Sequence, residues 1–585
     1  MLAGFQFGKY EPLTWLTFGL DHVVWWADPF GYHWTNLLLH AGNATAVYLL
    51  ALGLFTYRTS DTPQSGNVRW VAGLSALVFA IHPLRAESVA WVSARSEILA
   101  TLFFLCGVLF YLRAVHRSQA NRRKAQWLTL SVAAYGLSLL SGMSGIALPA
   151  VLLVLDVYPL ERFTASGSCN WLGSEARRLY KEKLPFLLIA IAGLSIAVIA
   201  NSDKSSTGDT TGETAMTEIA LGIAAPVFQF WKAFVPFELS PIYELQGWFL
   251  ALGAIALPAV SMWLFLIRKG WPSLLTSWIC YLMLLWLIPP GDSFGGQALS
   301  DRRTYLACVH WAVLAGAAAM HYWEAYVNGR IRRGLLFSGL GASAIILFGL
   351  GALTSAQTRV WHDSETLWKS AAARSAASKA HYNLAVLQEA QGKYDDAIAS
   401  YKQVAEIDSR RWDAEEKAAL LLEKQGKIGE AVKFFRSTVR INPAAIEARY
   451  RLALGLMKQR ETGEAVQHLR QVLDLAPERN DARVTLGTIS ALQGRLTDAI
   501  DLFQQADQFE PGNAKILLNL GQVLAARGDL NKAVDCFREA VRIKPADAGA
   551  HESLGRALLE QGKRDEAAAH FREAVRILKS SPVSR

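Results

Sequence analysis

The chain is poor in charge and holds no organised cysteine. Only 19% of its 585 residues are Asp, Glu, Lys or Arg and 52% are hydrophobic. Soluble domains carry about 25% charge, so a wholly soluble protein is excluded. The five cysteines, Cys106, Cys169, Cys280, Cys308 and Cys536, are scattered without a CxxC pair. That spacing excludes a zinc-ribbon site and a secreted disulfide framework, and no metal ligands are read from it. No nucleic-acid-binding module is present, so the net charge of +9 reads as cationic loops on one side of a membrane, and no nucleic-acid partner is expected.

What is there changes character near residue 356. Before it, apolar runs alternate with short polar links, and a run of about 17–25 residues is long enough to cross a bilayer as a helix. Ten spans are expected, near 33–56, 69–84, 96–115, 125–141, 144–159, 183–200, 248–267, 272–289, 304–322 and 335–355. The stretch 217–237 is apolar but carries Glu218, Gln229, Lys232, Pro226 and Pro236. Cationic residues beside spans stay in the cytoplasm. Arg113, Arg117, Arg122, Arg123 and Lys124 fix one link inside, and Arg177, Arg178, Lys181 and Lys183 agree two crossings later. Arg268, Lys269, Arg330, Arg332 and Arg333 then also fall inside only if 217–237 is re-entrant or interfacial. The same reckoning puts residues 1–32 and everything after 356 outside. Residues 1–30 contain no signal peptide and no span, so an upstream start that supplies a preceding helix is expected. Asp156 and Glu161, near the inner end of the fifth span, read as boundary residues. Few charges fall at mid-depth and no pair of broken helices is evident, which disfavours a transporter.

From Ser378 the chain repeats every 34 residues, the length of a helix-turn-helix tetratricopeptide unit. Alanine recurs at Ala397, Ala431, Ala465, Ala499, Ala533 and Ala567, and a large residue at Tyr401, Phe435, Leu469, Phe503, Phe537 and Phe571. Ala385, Ala419, Ala453, Gly487, Gly521 and Gly555 hold the small position of the first helix, and Pro443, Pro477, Pro511 and Pro545 end the second. Such arrays present a concave surface for a protein or peptide. From 378 to 585 there are 32 Lys plus Arg against 29 Asp plus Glu, so the groove has no single sign. Asn383 and Asn519 share a phase that Lys417, Arg451, Thr485 and Ser553 otherwise fill, so no asparagine ladder is present. The expected architecture is all-α. Residues 1–356 form a polytopic membrane helix bundle and 357–377 a linker bearing Trp361 and Trp368; 378–581 hold six repeats, and 582–585 are a tail.

Charges near spans are costly and mark candidate functional sites. They cluster outside: His82, Arg85, Glu87, Arg95 and Glu97 in the link HPLRAESVAWVSARSEIL, Glu11, Asp21 and Asp28 in the N-terminal segment, and Asp292, Asp301, Arg302 and Arg303 before the ninth span. Carboxylates beside arginines suit a general base with a cationic clamp for a phosphate leaving group. Ordinary interfacial ion pairs that fix loops are the alternative.

The ordered motifs KYEPLTWLTFGLDH, GYHWTNLLLHAGNATAVYLL, AIHPLRAESVAWVSARSEILATLFFL, LSLLSGMSGIALPAVLLVLDVYPL, FVPFELSPIY and SDRRTYLACVHW, followed by the repeats, cover nearly the whole chain. In this order they resemble the transmembrane-and-tetratricopeptide-repeat proteins, which include O-mannosyltransferases of the animal secretory pathway and bacterial relatives. The resemblance implies a GT-C glycosyltransferase architecture in the membrane. It also implies a polyprenyl-phosphate sugar as donor, transfer to protein hydroxyls on the non-cytoplasmic side, and repeats that gather the acceptor. On the resemblance, Glu87, His82 and Glu11 are the candidate catalytic residues, Glu87 orienting acceptor or metal and His82 supporting it. Arg302, Arg85 and Arg303 are the candidate phosphate-binding residues, with a divalent cation as an alternative holder of the phosphate. In relatives the key acid stands in a first outer loop that this chain begins beyond, and Glu11 stands where they commonly show histidine. Arg85 replaces a second histidine, and Gly142 and Met143 replace lysine and proline. These departures leave a non-catalytic, membrane-anchored scaffold as the alternative. The motif spellings favour a bacterial inner membrane.

Overall fold

The computed structural model describes residues 10–58, 65–115, 121–163, 171, 173–202, 215–243, 247–287, 299–374 and 377–580. Asp292, Cys169 and the tail lie outside them. The chain divides into two compact units, Met1–Ala380 and His381–Arg585.

The first unit is a helix bundle. Its helices are α1 (Pro12–Trp25), α2 (Pro29–Arg58), α3 (Ser65–Ala80), α4 (Arg85–Ala90), α5 (Arg95–Val115), α6 (Asn121–Ser141), α7 (Leu148–Val157) and α8 (Ser174–Ser202). They continue with α9 (Ala215–Phe234), α10 (Gly247–Ile267), α11 (Pro272–Trp286), α12 (Thr304–Ala307), α13 (Val309–Val327), α14 (Arg333–Val360) and α15 (Ser364–Arg374). Among the described residues five helical segments, Pro29–Tyr57, Val92–Val115, Ala176–Ala200, Gly247–Ile267 and Arg333–Val360, are long and apolar enough to cross a membrane. Other expected spans are interrupted. The run at 144–159 divides into a 3₁₀ turn, Met143–Gly145, and the ten-residue α7, while 304–322 breaks at Cys308 between α12 and α13. The N-terminal segment, expected as an outer stretch, folds as α1 and packs on α2, α5 and α6.

Large rings fill the interior: Tyr111, Tyr135, Phe186, Trp278, Tyr281 and Tyr305 are buried in one cluster. Outward, α14 presents Ile345 and Phe348 at 74% and 80% exposure. A continuous apolar face of this kind suits lipid contact, because lipid removes the cost of hydrating it.

Two buried polar networks lock the bundle. Arg95, fully buried at the start of α5, pairs with Asp21 of α1 at 2.5 Å and donates from Nε to Asn36 of α2 at 2.8 Å. Asp156, expected at a boundary, is instead fully buried as a hub. Tyr111 donates to both of its oxygens (2.6 and 2.8 Å), with Lys183 at 2.5 Å and Arg162 at 3.2 Å. Glu182 joins Arg162 (2.9 Å) to Lys124 (2.7 Å) at its rim.

The second unit is a run of helix pairs: α16 (Ser378–Ala390) with α17 (Tyr394–Ile407), α18 (Trp412–Lys424) with α19 (Ile428–Ile441), and α20 (Ile446–Lys458) with α21 (Thr462–Leu475). Three further pairs are α22 (Asn480–Leu492) with α23 (Leu496–Phe509), α24 (Ala514–Arg527) with α25 (Leu530–Ile543), and α26 (Ala548–Glu560) with α27 (Arg564–Ser580). The small position of the first helix meets the large residue of the second: a Cβ on Gly521 would lie 2.6 Å from the Phe537 ring. The cations that interrupt the asparagine phase reach back to acids of the preceding repeat, Lys417 to Glu389 (4.0 Å) and Arg451 to Glu423 (3.2 Å).

Between the helices of each pair the chain turns through a left-handed residue. It is glycine at Gly392, Gly426, Gly494, Gly528 and Gly562, but Arg460, with φ 66°, in the third repeat. A side chain there costs about 1–2 kcal/mol of backbone strain, part of which glycine returns as unfolded-state entropy. Arg460→Gly is therefore expected to stabilise the repeat unit by about 0.5–1 kcal/mol. Thermal unfolding followed by helical circular dichroism checks this, and an unchanged or lowered midpoint counts against it.

Candidate functional site

The expected site residues converge in part. The link after α3 turns tightly at Pro83: the Arg85 and Ala86 amides donate to the His82 and Pro83 carbonyls at 2.9 and 3.0 Å, which starts α4. This turn engages both His82 nitrogens. Nδ1 accepts from the Leu84 amide (3.3 Å) and Nε2 donates to the Ala233 carbonyl (2.9 Å). Burial, and next the Arg85 charge, hold the ring down to about 4, so it is neutral at pH 7. His82 therefore fastens the end of α9 to the link.

Arg85 is buried as well. Its guanidinium donates to the Tyr305 carbonyl at 2.8 Å and lies over the Phe79 and Tyr305 rings at 5.2 and 5.1 Å. It joins α4 to α12.

Glu87 and Arg302 meet, although 215 residues separate them. The Arg302 amide donates to Glu87 Oε2 at 3.2 Å, and the guanidinium approaches Oε1 at 3.9 Å. Glu87 is 2% exposed, and its Oε1 has no hydrogen-bond partner. Burial pushes its carboxyl up to about 7 against the opposing pull of Arg302. Beside it, Asp301 accepts from the Tyr243 hydroxyl with both oxygens (3.0 and 3.1 Å), and the Ser240 amide in turn donates to that hydroxyl at 2.9 Å. Burial, and then the Glu87 charge, raise Asp301 well above the usual carboxylate range. The Arg302 guanidinium lies 4.8 Å over the Trp91 ring, and Trp91 lies 5.6 Å from Trp361, at the end of α14.

Arg303 is half-buried in the 3₁₀ turn Asp301–Arg303 that also carries Arg302. Glu11 sits elsewhere: it starts α1, which is tied by Thr14 Oγ1 to the Ser141 carbonyl at 2.7 Å, near the Gly142–Met143 departure. Sequence reasoning named Asp301 as a loop charge without choosing it, and passed over Tyr243, the last residue of FVPFELSPIY. Its adjacency to Arg302 was the available signal for Asp301.

The cluster can hold a proton on a carboxyl pair at neutral pH beside a guanidinium. Among the described residues no three His, Cys, Asp or Glu side chains converge in a way that could hold a metal ion; Arg302 and Lys232 supply the nearby positive charge.

Tetratricopeptide-repeat models match residues 378–410, 450–514 and 518–582. The chain is 30% identical over 188 residues to the protein O-mannosyl-transferase Tmtc3 of Drosophila melanogaster, covering 30% of this chain and 20% of that protein. It is 23% identical over 454 residues to the mouse protein O-mannosyl-transferase TMTC4, covering 67% of this chain and 57% of that one. The chain is related to the TMTC-type protein O-mannosyl-transferases. The matches to these two TMTC-type relatives thus span a fifth and just over half of their own lengths. A solved structure, YrrB, a TPR protein with an unusual peptide-binding site, is 23% identical with a TM-score of 0.30, over 32% of this chain and 96% of its own.

Proposed function

We propose that the protein transfers a sugar from a polyprenyl-phosphate donor to hydroxyls of proteins on the non-cytoplasmic side of the membrane, the repeats gathering the acceptor. The observation that carries this reading is the buried pair Glu87 and Asp301 beside Arg302, outside the apolar spans. A carboxylate of the pair takes the proton of the acceptor hydroxyl as the new C–O bond forms at the sugar. The bond from that carbon to the phosphate oxygen breaks, and the polyprenyl phosphate leaves with its charge met by Arg302. His82 and Arg85, both engaged inside the fold, hold α4 against α9 and α12 and so set the position of Glu87. The kinship with protein O-mannosyl-transferases supports the reaction class.

Deletion of the gene tests the reading, with hexosylated serines and threonines of exported proteins counted by mass spectrometry. A set of modifications is expected to disappear and to return with the wild-type gene. An unchanged set would remove the transferase reading.

A further inference from the structure

The start of α6 takes no part in the proposed transfer. From residue 98 to residue 155 the chain holds no Asp or Glu, while Arg113, Arg117, Arg122, Arg123 and Lys124 fall close together in it. Two of these cations are engaged inside the fold. Lys124 pairs with Glu182 of α8 at 2.7 Å, and the Arg113 guanidinium lies 5.3 Å over the Trp127 ring. Trp127 in turn stacks on Phe110 of α5, with centroids 5.8 Å apart. Arg122 and Arg123 are exposed, and among the described residues neither has an acidic partner.

These two arginines line one groove, of about 840 Å³. Along α6 its lining passes from Arg122 and Arg123 through Gln126 and Trp127 to Leu130, from charged through amphipathic to apolar. Leu130, Leu137 and Leu140 are all exposed and follow one another on the same side of the helix. The preference of cations for one side of a membrane accounts for charge in a link, but not for a groove graded in this way. A guanidinium donates in a fork that matches phosphate oxygens. A free phosphate would engage the arginines and leave Trp127 and the leucines without a role. A phospholipid engages the whole length, and two cations without acidic partners favour one whose headgroup is negative overall.

We infer that the start of α6 holds an anionic phospholipid of the surrounding membrane, its phosphate on Arg122 and Arg123 and an acyl chain along Leu130, Leu137 and Leu140. Gln126 and Trp127 border the headgroup between them. The site is separate from Glu87 and Arg302, and it stands whether or not the protein transfers a sugar.

The test equilibrates the full-length protein in detergent micelles with equal amounts of phosphatidylglycerol and phosphatidylcholine and counts the lipids that stay bound by native mass spectrometry. Wild type is expected to retain phosphatidylglycerol about tenfold over phosphatidylcholine. The double change Arg122→Gln with Arg123→Gln should bring that preference to within about twofold of none, with helical circular dichroism unchanged, and either single change should fall between. Arg268→Gln with Lys269→Gln removes the same charge from another link and should keep the wild-type preference. If it lowers the preference as far as the Arg122 and Arg123 changes do, the site is overturned, because cations anywhere then suffice. A wild type without preference, or Arg122 and Arg123 variants that keep it, overturns the site as well. Millimolar inorganic phosphate should leave the bound phosphatidylglycerol in place. Displacement by phosphate would make the groove a site for free anions and overturn the lipid as its occupant.

Discussion

Glu87→Gln is expected to lower sugar transfer by about 10²–10⁴-fold, the contribution of a well-placed general base, with the protein still folded. Glutamine keeps the shape and can still accept from the Arg302 amide, but it cannot take a proton. The charge of Arg302 is then left without its acid, and that change is tolerable because the guanidinium also rests on Trp91. The dependence on pH separates a base from a merely structural carboxyl. With the Glu87 carboxyl at about 7, the ionised fraction rises as pH rises through neutrality, so wild-type transfer should climb from pH 6 to pH 8. The residual transfer of Glu87→Gln should lack that step. Stability runs in the opposite direction. A carboxyl raised in the folded state favours folding fully below its unfolded value, near 4.5, and loses that contribution as pH rises through about 7. The unfolding midpoint of wild type should therefore fall relative to Glu87→Gln between pH 5 and pH 8. Transfer within threefold of wild type, or an identical pH profile, would take Glu87 out of the chemistry.

The largest effect on stability is expected at Asp156. Asp156→Ala leaves Lys183, itself 4% exposed, without its carboxylate and leaves Tyr111 and Arg162 without their shared acceptor. An uncompensated buried charge costs about 3–5 kcal/mol. Lys124→Ala at the rim, where the side chain is 21% exposed, removes only a pair worth about 0–1 kcal/mol. Unfolding in detergent micelles, followed by temperature or by added denaturant, compares the two. The double change Asp156→Ala with Lys183→Met should recover much of the loss, since it removes the stranded charge along with its partner. A loss at Asp156 no greater than that at Lys124 would mean that the network is not holding α5, α7 and α8 together.

These two sites differ in how much of them could be read beforehand. Glu87 and Arg302 were both legible, each as a charge beside an apolar run in a motif shared with relatives. Their partners were less so. Asp301 stood in plain sight within SDRRTY, yet its pairing depends on Tyr243 and Ser240 arriving from another link. His82 and Arg85, named for chemistry and phosphate, hydrogen-bond to carbonyls of α9 and α12, which the sequence did not reveal. Asp156 passed for a boundary residue because hydropathy registers the edge of a run and not what is packed against it.

The sequence by itself determined the repeat array and the apolar character of the first half. Each tetratricopeptide unit packs only on its neighbours, so its small and large positions must recur every 34 residues, and a period is visible without any distant contact. Apolar length is likewise a local property, set by bilayer thickness. Only the tertiary structure decided where those runs break, which charges are buried together, and that Trp361 reaches Trp91. Those outcomes depend on residues more than 200 positions apart meeting in an interior of low dielectric. There burial sets protonation, and a polar atom left unmet carries a cost that only the packed arrangement reveals.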